Sequence, residues 1–449
     1  MPRLLADLTP LRISPEFRRL WWGLGLANIG TQLTATAVGL QVYALTQSSF
    51  SVGLIGAVGL VPTIIFGLYG GALADAHDRR TVALIASIVM WVATLGIVAQ
   101  AWFDLRSVWL LYVLIAVQAG ASSVNGPARS SIIPRLVARE LLPAANALNM
   151  MTTTLASLSG PMVGATLIAV IGFSHTYLID AVTFSFALYA ILRLPPIRPL
   201  VEAAVAPEVP VVAGGHGVGR LFRSVGASLT LHGRSVLDGV TFLRTRRNIL
   251  MTFLTDMSAM ILAFPRAAFP AAAAVILGGG TATAGALASA IAVGSLLAAV
   301  FSGPLTRVRR QGRAVVWAVS GWGLSVAACG AVWIVAGRTV PSHLVIWALV
   351  GSVFALGVGG AADAISATFR NTILQTATPD ELRGRLQGVF LVVVSGGPRL
   401  GDLVIGTLSG LFGEGLALVI GGLACVVALQ LLSRWHRAFL AYDARDPIP

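Results

Sequence analysis

The chain has 449 residues, of which 56% are hydrophobic and only 11% charged, and this excludes a soluble globular protein, whose charged fraction is about 25%. The formal net charge of +13 comes from 31 basic residues, all of them arginine. Because these arginines lie in short segments between apolar runs, nucleic acid is not expected as a partner. The composition predicts an integral membrane protein surrounded by a lipid bilayer.

Cysteine and histidine usage indicates neither a metal site nor a catalytic centre. Cys329 and Cys425 lie inside apolar runs, and the six histidines lie in loops, at helix ends or in the terminal tail, without metal-ligand spacing. The chain has no lysine, which excludes a nucleotide-binding loop of the GxxxxGK[ST] type. We therefore expect no cofactor, no metal and no enzymatic activity, and active transport would have to draw on an ion gradient.

Twelve apolar runs of about the length of a membrane-spanning helix follow one another along the chain, and we number them helices 1 to 12. The first six occupy residues 20–45, 51–74, 81–103, 108–134, 145–170 and 174–193. The second six occupy residues 248–275, 282–303, 313–336, 343–370, 386–410 and 414–433. Pro265 and Pro270 are expected to break helix 7 near its end.

A polar segment rich in proline, valine, glycine and arginine separates the two sets of helices, which is typical of a linker. The sequence thus predicts an N-terminal six-helix bundle at 1–193, a cytosolic linker at 194–247, and a C-terminal six-helix bundle with a cytosolic tail at 248–449. Near the end of the linker, apolar residues recur at helical spacing from Val236 to Leu243. This pattern predicts an amphipathic helix on the membrane surface, after a mobile stretch at 201–219.

The arginines also predict the orientation in the membrane, because cytosolic loops collect positive charge. Both terminal segments and the loops after the even-numbered helices carry 25 arginines, whereas the loops on the opposite side carry only Arg106 and Arg338. Both termini are therefore expected in the cytosol, with the protein in the cytoplasmic (inner) membrane.

Helices 2 and 3 are joined by a very short polar hairpin, Gly71–Val82, which reads GALADAHDRRTV. Two further patterns occur twice along the chain. The segment that begins at Arg129 aligns with the one that begins at Arg370, and the Gly-Pro-x-x-Gly of helix 5 recurs at Gly397 in helix 11. These repeats in the same order predict two similar halves.

The hairpin, the repeats and the twelve helices resemble the major facilitator superfamily of secondary transporters. The hairpin residues that match the signature loop of that family are Gly71, Leu73, Asp75, Arg79 and Arg80. Ala76 and Asp78 depart from it. Within the superfamily, residues 125–148 and 378–389 are similar to the branch that contains bacterial siderophore (enterobactin) exporters and multidrug effluxers.

This resemblance implies an all-α membrane fold of two pseudo-symmetric six-helix bundles, in a monomer. It also implies export of a small molecule, siderophore-like or lipophilic and drug-like, by alternating access. The residues expected in gating are Gly71, Asp75, Arg79, Arg80, Arg129 and Arg370. Arg129 and Arg370 lie near the cytosolic ends of helices 4 and 10, where they either pair with acids of the signature loops or extend to the lipid headgroups. Gly160, Pro161 and Gly164 resemble the antiporter signature, in which small residues let helices 5 and 8 pack closely.

Polar residues inside the spans predict where the substrate cavity lies, because each is costly in lipid and normally faces inward. The substrate candidates are Asn28, Gln32, Gln118 and Asn125, and the proton-coupling candidates are Asp256 and Asp363. The alternatives are hydrogen bonds between helices for the amides, and a permanent pair with Arg129 or Arg370 for either aspartate. Arg399 and Asp402, three residues apart, are expected to satisfy each other.

Proton coupling has one counter-indication, since Ile115 stands where many proton-coupled members of the superfamily carry an arginine.

Two other functions remain as alternatives to export. One is uptake of a small organic solute by the same fold, and the more remote one is a membrane receptor or enzyme.

Overall fold

The computed structural model describes residues 7–76, 78–195, 197, 243, 245–338, 340–377, 380–443 and 445. Within these ranges only the backbone is described at 68–76, 306, 380–392 and 394–395. The predicted amphipathic helix and mobile stretch of the linker lie almost wholly outside the described residues. In the signature hairpin, the side chain of Asp75 is not described, and Gly71 is described by its backbone alone.

The first half of the chain folds into six long helices. Four are separated by clear connections: α1 Pro15–Thr46, α2 Ser49–Ala76, α3 Arg79–Trp102 and α4 Val108–Leu136. The helical stretch Leu142–Leu192 is interrupted at Gly172, whose φ of 79° and ψ of 176° are not helical, so it comprises α5 (142–171) and α6 (173–192). Glycine tolerates this positive φ because it has no Cβ atom, and the chain reverses there.

The second half contains α7 Arg247–Leu262, α8 Gly280–Val300, α9 Gln311–Ala336, α10 Ile346–Ala377, α11 Asp380–Phe412 and α12 Glu414–Trp435. The predicted break in helix 7 is confirmed. After Leu262 the chain continues as a 3₁₀ turn (Arg266–Ala268), a short helix (Phe269–Ala272) and a π turn (Ala273–Leu277). Prolines lack the N–H that a continuing helix would need, so the regular helix stops before Pro265.

In the part of the chain that the structure describes, nine helical segments are long and apolar enough to cross a membrane, and one of them contains both α5 and α6. Of the two remaining long helices, α1 carries more polar residues, and α11 is described with side chains mainly in its second half. Several observed helices are longer than the predicted spans, because polar residues beyond the apolar run are also helical. For example, α10 extends to Ala377 rather than ending at Arg370.

An even number of spans places the start of α1 and the end of α12 at the same end of the bundle, which we call the terminal end. The opposite, far end carries the connections after α1, α3, α5, α7, α9 and α11. Small residues allow close packing within each half. In the second half, a Cβ atom at Gly294 would lie only 1.8 Å from the carbonyl oxygen of Gly357, so α8 and α10 are in backbone contact.

The two halves meet along two seams in the far half of the bundle. In one seam α2 packs against α11, where Cβ atoms at Gly53 and Gly56 would lie 2.3 Å from the carbonyl oxygens of Asp402 and Arg399. In the other, α5 packs against α8, and the Thr281 hydroxyl donates to the Ala165 carbonyl at 2.9 Å. The far end is therefore closed in this structure.

Candidate functional site

A cavity of about 260 Å³ lies between the two halves, behind the two seams. The first half contributes α1, α2 and α4 to its wall, and the second half contributes α8, α11 and the 3₁₀ turn after α7. Most of the lining is apolar. Its polar and charged members are Thr31, Thr34, Thr36, Gln118, Arg266, Arg399 and Asp402.

Arg399 in α11 contacts the opposite half of the protein. Its Nη1 atom donates to the carbonyl oxygen of Gly59 at 2.8 Å and to the hydroxyl of Thr63, both in α2. The expected pair with Asp402 is corrected, because the described residues show no such ion pair. Gly59 has no side chain, and this leaves room for the guanidinium group, whose Cζ would lie 3.8 Å from a Cβ there.

Asp402 lies one turn further along α11 and faces the same cavity. The backbone N–H of Ala267 donates to its carboxylate, which is also within electrostatic reach of Arg266 and Arg399. Its Oδ1 atom is buried and has no hydrogen-bond partner among the described residues. The wall of the cavity thus holds two guanidinium groups and one incompletely bonded carboxylate.

The amide side chains predicted for the cavity have different surroundings. Gln118 lines the cavity and donates to the hydroxyl of Thr94 in α3 at 3.1 Å. Gln32 donates to Ser157 Oγ in α5 at 3.1 Å. Asn28 is half-buried on α1, one turn before Gln32. Both bonded amides thus join helices of the same half.

Asn125 does not line the cavity, and the alternative of hydrogen bonds between helices applies to it. It is buried, and its Nδ2 atom donates to the Ala83 carbonyl at 3.0 Å and to the Ser87 hydroxyl at 2.6 Å, both in α3. A buried amide costs free energy unless its hydrogen bonds are made, and here the neighbouring helix supplies them. Asn125 therefore joins α3 and α4.

A second polar cluster lies inside the C-terminal half. Arg370 in α10 forms a salt bridge through Nη1 with Asp256 in α7, and its Nη2 lies 3.5 Å from Asp363 Oδ1. Arg370 and Asp256 are buried, and a cavity of about 290 Å³ adjoins all three side chains. With all groups ionised the cluster carries one negative charge.

For the aspartates the structure shows the alternative that the sequence left open, a pair with Arg370. Arg370 lies between the two carboxylates, which would otherwise repel each other where the dielectric constant is low. Arg370 was expected near the helix end, opposite an acid of a signature loop. Because α10 continues to Ala377, Arg370 lies seven residues, or about 10 Å, inside the helix and pairs within its own half.

Arg129, the counterpart of Arg370 in the first half, has no such cluster. Its Nη1 atom lies 3.5 Å from Oδ1 of Asn125, one turn earlier in α4. Within the described ranges it forms no ion pair. Arg129 and Arg370 therefore occupy equivalent positions in the two halves, but only Arg370 has acidic partners among the described residues.

The described part of the signature hairpin connects helices of the N-terminal half. Asp78 accepts hydrogen bonds from the backbone N–H groups of Arg80 (2.8 Å) and Thr81 (3.2 Å) and so caps the start of α3. Arg80 donates to the Leu192 carbonyl at the end of α6 at 2.6 Å, and Arg79 to Ser131 in α4 at 3.3 Å. The departure from the family pattern at Asp78 is thus explained as a helix cap.

The Asp78→Ala variant should lose about 1 kcal/mol of stability, because two N–H groups at the start of α3 lose their acceptor. Asp78→Ser should retain most of it, since serine is also an effective cap. Thermal unfolding of the purified variants in detergent measures this difference. Equal melting temperatures for Asp78→Ala and the wild type would contradict the capping role.

The antiporter-like motif contacts two different helices. A Cβ atom at Gly160 would lie 2.4 Å from Cβ of Gln32, and one at Gly164 would lie 3.2 Å from Cα of Leu33, so both glycines pack against α1. The contact with α8 uses the next face of α5, where Gly285 approaches the Pro161 carbonyl and Ala165. The expectation that Gly160 and Gly164 face helix 8 is corrected, because residues one turn apart share a single face of a helix.

Two buried acids lie outside the candidate set, and sequence reasoning did not predict their partners. Glu414 at the start of α12 accepts from the Ser49 hydroxyl at 3.1 Å and pairs with Arg338 at 3.5 Å, so it joins the halves at the far end. Asp180 in α6 accepts from Thr34 of α1 at 2.6 Å. The sequence signal for both was an acidic residue inside or at the edge of an apolar run. This signal indicates burial but does not identify the residue that the acid pairs with.

Comparison with known proteins identifies the family. Residues 5–446 match the family model described as transmembrane secretion effector. The chain is 27% identical to the enterobactin exporter EntS of Shigella boydii serotype 18, and 26% identical to that of Escherichia coli O81 (strain ED1a), over 98% of both chains in each case.

Solved structures share the fold at low sequence identity. The POT family transporter PepTSo superposes with a TM-score of 0.72 at 13% identity, covering 96% of this chain and 99% of the other. The nucleoside transporter NupG gives 0.69 at 14% identity, covering 95% and 100%. The chain therefore belongs to the transmembrane secretion effector family, on the enterobactin-exporter branch of the major facilitator superfamily of membrane transporters.

Proposed function

We propose that this secondary transporter exports a siderophore-like or lipophilic small molecule through the cytoplasmic membrane by alternating access of its two halves, 1–193 and 248–449. The observation that carries the proposal is the cavity between the halves, which glycine seams close at the far end. Glycines let the backbones of the two halves touch, which makes the closed state tight. In this fold the halves open by moving apart as two rigid bodies.

The orientation follows from charge. The terminal end carries 25 loop and tail arginines and the far end carries Arg106 and Arg338, so the terminal end is assigned to the cytosol. In this assignment the far end faces outward, and the closed seams block exit of the substrate. Opening them would release a substrate that entered from the cytosol.

The lining of the cavity supports a small organic substrate. Its walls are mostly apolar, with a few charged groups from the second half, as in sites that bind lipophilic molecules and orient them through polar atoms. At about 260 Å³ the closed cavity is slightly smaller than ligand pockets of roughly 300–1,000 Å³. The open state is expected to be larger.

Proton coupling is assigned to the cluster of Asp256, Arg370 and Asp363. An ionised cluster has one net negative charge, which is costly to bury, and binding of one proton makes it neutral. Protonation therefore favours the state in which the cluster is dry, and deprotonation the state in which water reaches it. An inward proton gradient would thereby drive the conformational cycle.

Inverted membrane vesicles test the direction and the energy source. With an acidic lumen, we expect at least one member of a panel of siderophores and lipophilic dyes to accumulate in the lumen, and a protonophore should abolish the accumulation. Vesicles without the protein are the control. Accumulation in right-side-out vesicles alone would instead establish uptake.

A further inference from the structure

The guanidinium group of Arg399 reaches from one half of the protein to the other. Among the described residues it forms no ion pair, although Asp402 lies within electrostatic reach. It lies against Gly59 and donates to the Gly59 carbonyl and the Thr63 hydroxyl, which are neutral acceptors one helical turn apart. The Thr63 hydroxyl in turn donates to the Gly59 carbonyl at 2.8 Å, so this carbonyl accepts from both Thr63 and Arg399. The charged guanidinium is thus bonded only to neutral acceptors, one of which it shares with another donor.

The surroundings of Arg399 leave positive charge uncompensated. Arg266 and Asp402 line the same cavity, so this wall has two guanidinium groups and one carboxylate when all are ionised. Charges away from water are stabilised by pairing, so the cavity favours a ligand with an anionic oxygen.

We propose that Arg399 is a latch that holds the far end closed, and that an anionic oxygen of the substrate releases it. This inference rests on the proposed export function and adds the substrate class and the residue that senses it. A guanidinium can bind a carboxylate or phosphate group through two parallel hydrogen bonds and also attracts its negative charge, which a neutral carbonyl or hydroxyl does not offer. A bound anion between Arg399 and Arg266 therefore displaces Gly59 and Thr63.

Release of the latch acts on the seam that closes the exit. Arg399 and Asp402 contribute the backbone carbonyls against which Gly56 and Gly53 of α2 pack, so the latch and the seam are part of the same surface of α11. When Arg399 no longer bonds to Gly59 and Thr63, α11 loses the charged hydrogen bonds that hold it against α2 beside the seam. Binding of an anionic substrate is thereby linked to opening of the far end.

Cysteine labelling measures the opening directly. The natural Cys329 and Cys425 are fully buried and give a low background. Ile55→Cys places a thiol on the cavity wall behind the seam, and Phe103→Cys places one at the far-end connection after α3, where Phe103 is 71% exposed. A membrane-impermeant maleimide is added to right-side-out vesicles, and the Phe103→Cys rate confirms the side of addition.

In the Ile55→Cys background, Arg399→Gln and Thr63→Val should each raise the labelling rate about tenfold without ligand, as expected for the loss of a charged hydrogen bond. Arg106→Gln is the matched control, since Arg106 lies at the far surface with an exposed partner, and should leave the rate unchanged. Equal rates in all four proteins would overturn the latch. Thr63→Val provides the test if Arg399→Gln does not reach the membrane.

The substrate class is tested with 2-naphthoate and 2-naphthamide, which share a ring system and differ in charge. In the Ile55→Cys protein that retains Arg399, 2-naphthoate should raise the labelling rate of the thiol and 2-naphthamide should not. In the same protein with Arg399→Gln, neither compound should change the rate. Equal responses to both probes would overturn the anion-sensing role. Labelling reports on the latch even if vesicle transport fails, so the failures of the two proposals are distinguishable.

Discussion

Leucine at Gly53 or Gly56 should abolish transport while the protein remains in the membrane. A Cβ atom at either position would lie 2.3 Å from a carbonyl oxygen of α11, closer than any Cβ contact that a folded protein tolerates. The opposing atoms belong to the backbone, so α2 and α11 would have to separate. Overpacking costs about 1–3 kcal/mol in a core, and here the cost falls on the closed state alone.

The matched control is Gly126→Leu in α4, because a Cβ atom at Gly126 would meet nothing within 4 Å. It introduces the same side chain into a membrane helix without touching a seam, and transport should stay near the wild-type rate. Labelling of the thiol in Ile55→Cys should be high with Gly56→Leu and low with Gly126→Leu. Transport by Gly56→Leu at the rate of Gly126→Leu would rule out a required closure at this seam.

Removal of the guanidinium group at Arg370 should give the second large effect. Arg370→Gln leaves Asp256 and Asp363 without a cation inside the membrane, and breaking a buried pair in this way costs about 3–5 kcal/mol. The double variant Arg370→Gln with Asp256→Asn should recover part of the stability, because one buried negative charge is removed. Thermal unfolding in detergent of the wild type, both single variants and the double variant measures the coupling.

An exposed ion pair provides the control for this cycle. Arg106 pairs with Asp104 at 3.0 Å, but both side chains are more than 70% exposed, so Arg106→Gln should change the stability by at most about 1 kcal/mol. If Arg370→Gln is no more destabilised than Arg106→Gln, the cluster does not hold buried charges. The comparison separates burial from the mere presence of an ion pair.

The cluster of Asp256, Arg370 and Asp363 also predicts how the pH gradient drives transport. Asp256→Asn and Asp363→Asn cannot change charge with a proton at the altered site, so each should keep substrate exchange but lose its acceleration by a pH gradient. Asp104→Asn is the control, because Asp104 is exposed at the far surface. Gradient-driven export by both cluster variants would remove these acids as the coupling site, and Asp402 would become the next candidate.

The sequence by itself determined the class of the protein, the number of long helices and their approximate positions. These features are local, since a bilayer requires about 20 consecutive apolar residues per span and leaves no backbone polar group unpaired. The break in helix 7 was predictable for the same reason, because Pro265 acts on its own helix. The repeats indicated two halves, and the hairpin motif indicated the family.

Only the tertiary structure decided which groups meet. Gly160 and Gly164 pack against α1, Asn125 joins α3 and α4, and Arg370 lies between two acids of its own half. Arg399 bonds to Gly59, 340 positions away in the sequence. Each outcome depends on how a helix is rotated and how far it extends along its neighbours. Rotation is set by side-chain packing over whole helix surfaces, which hydropathy and residue spacing within one helix do not specify.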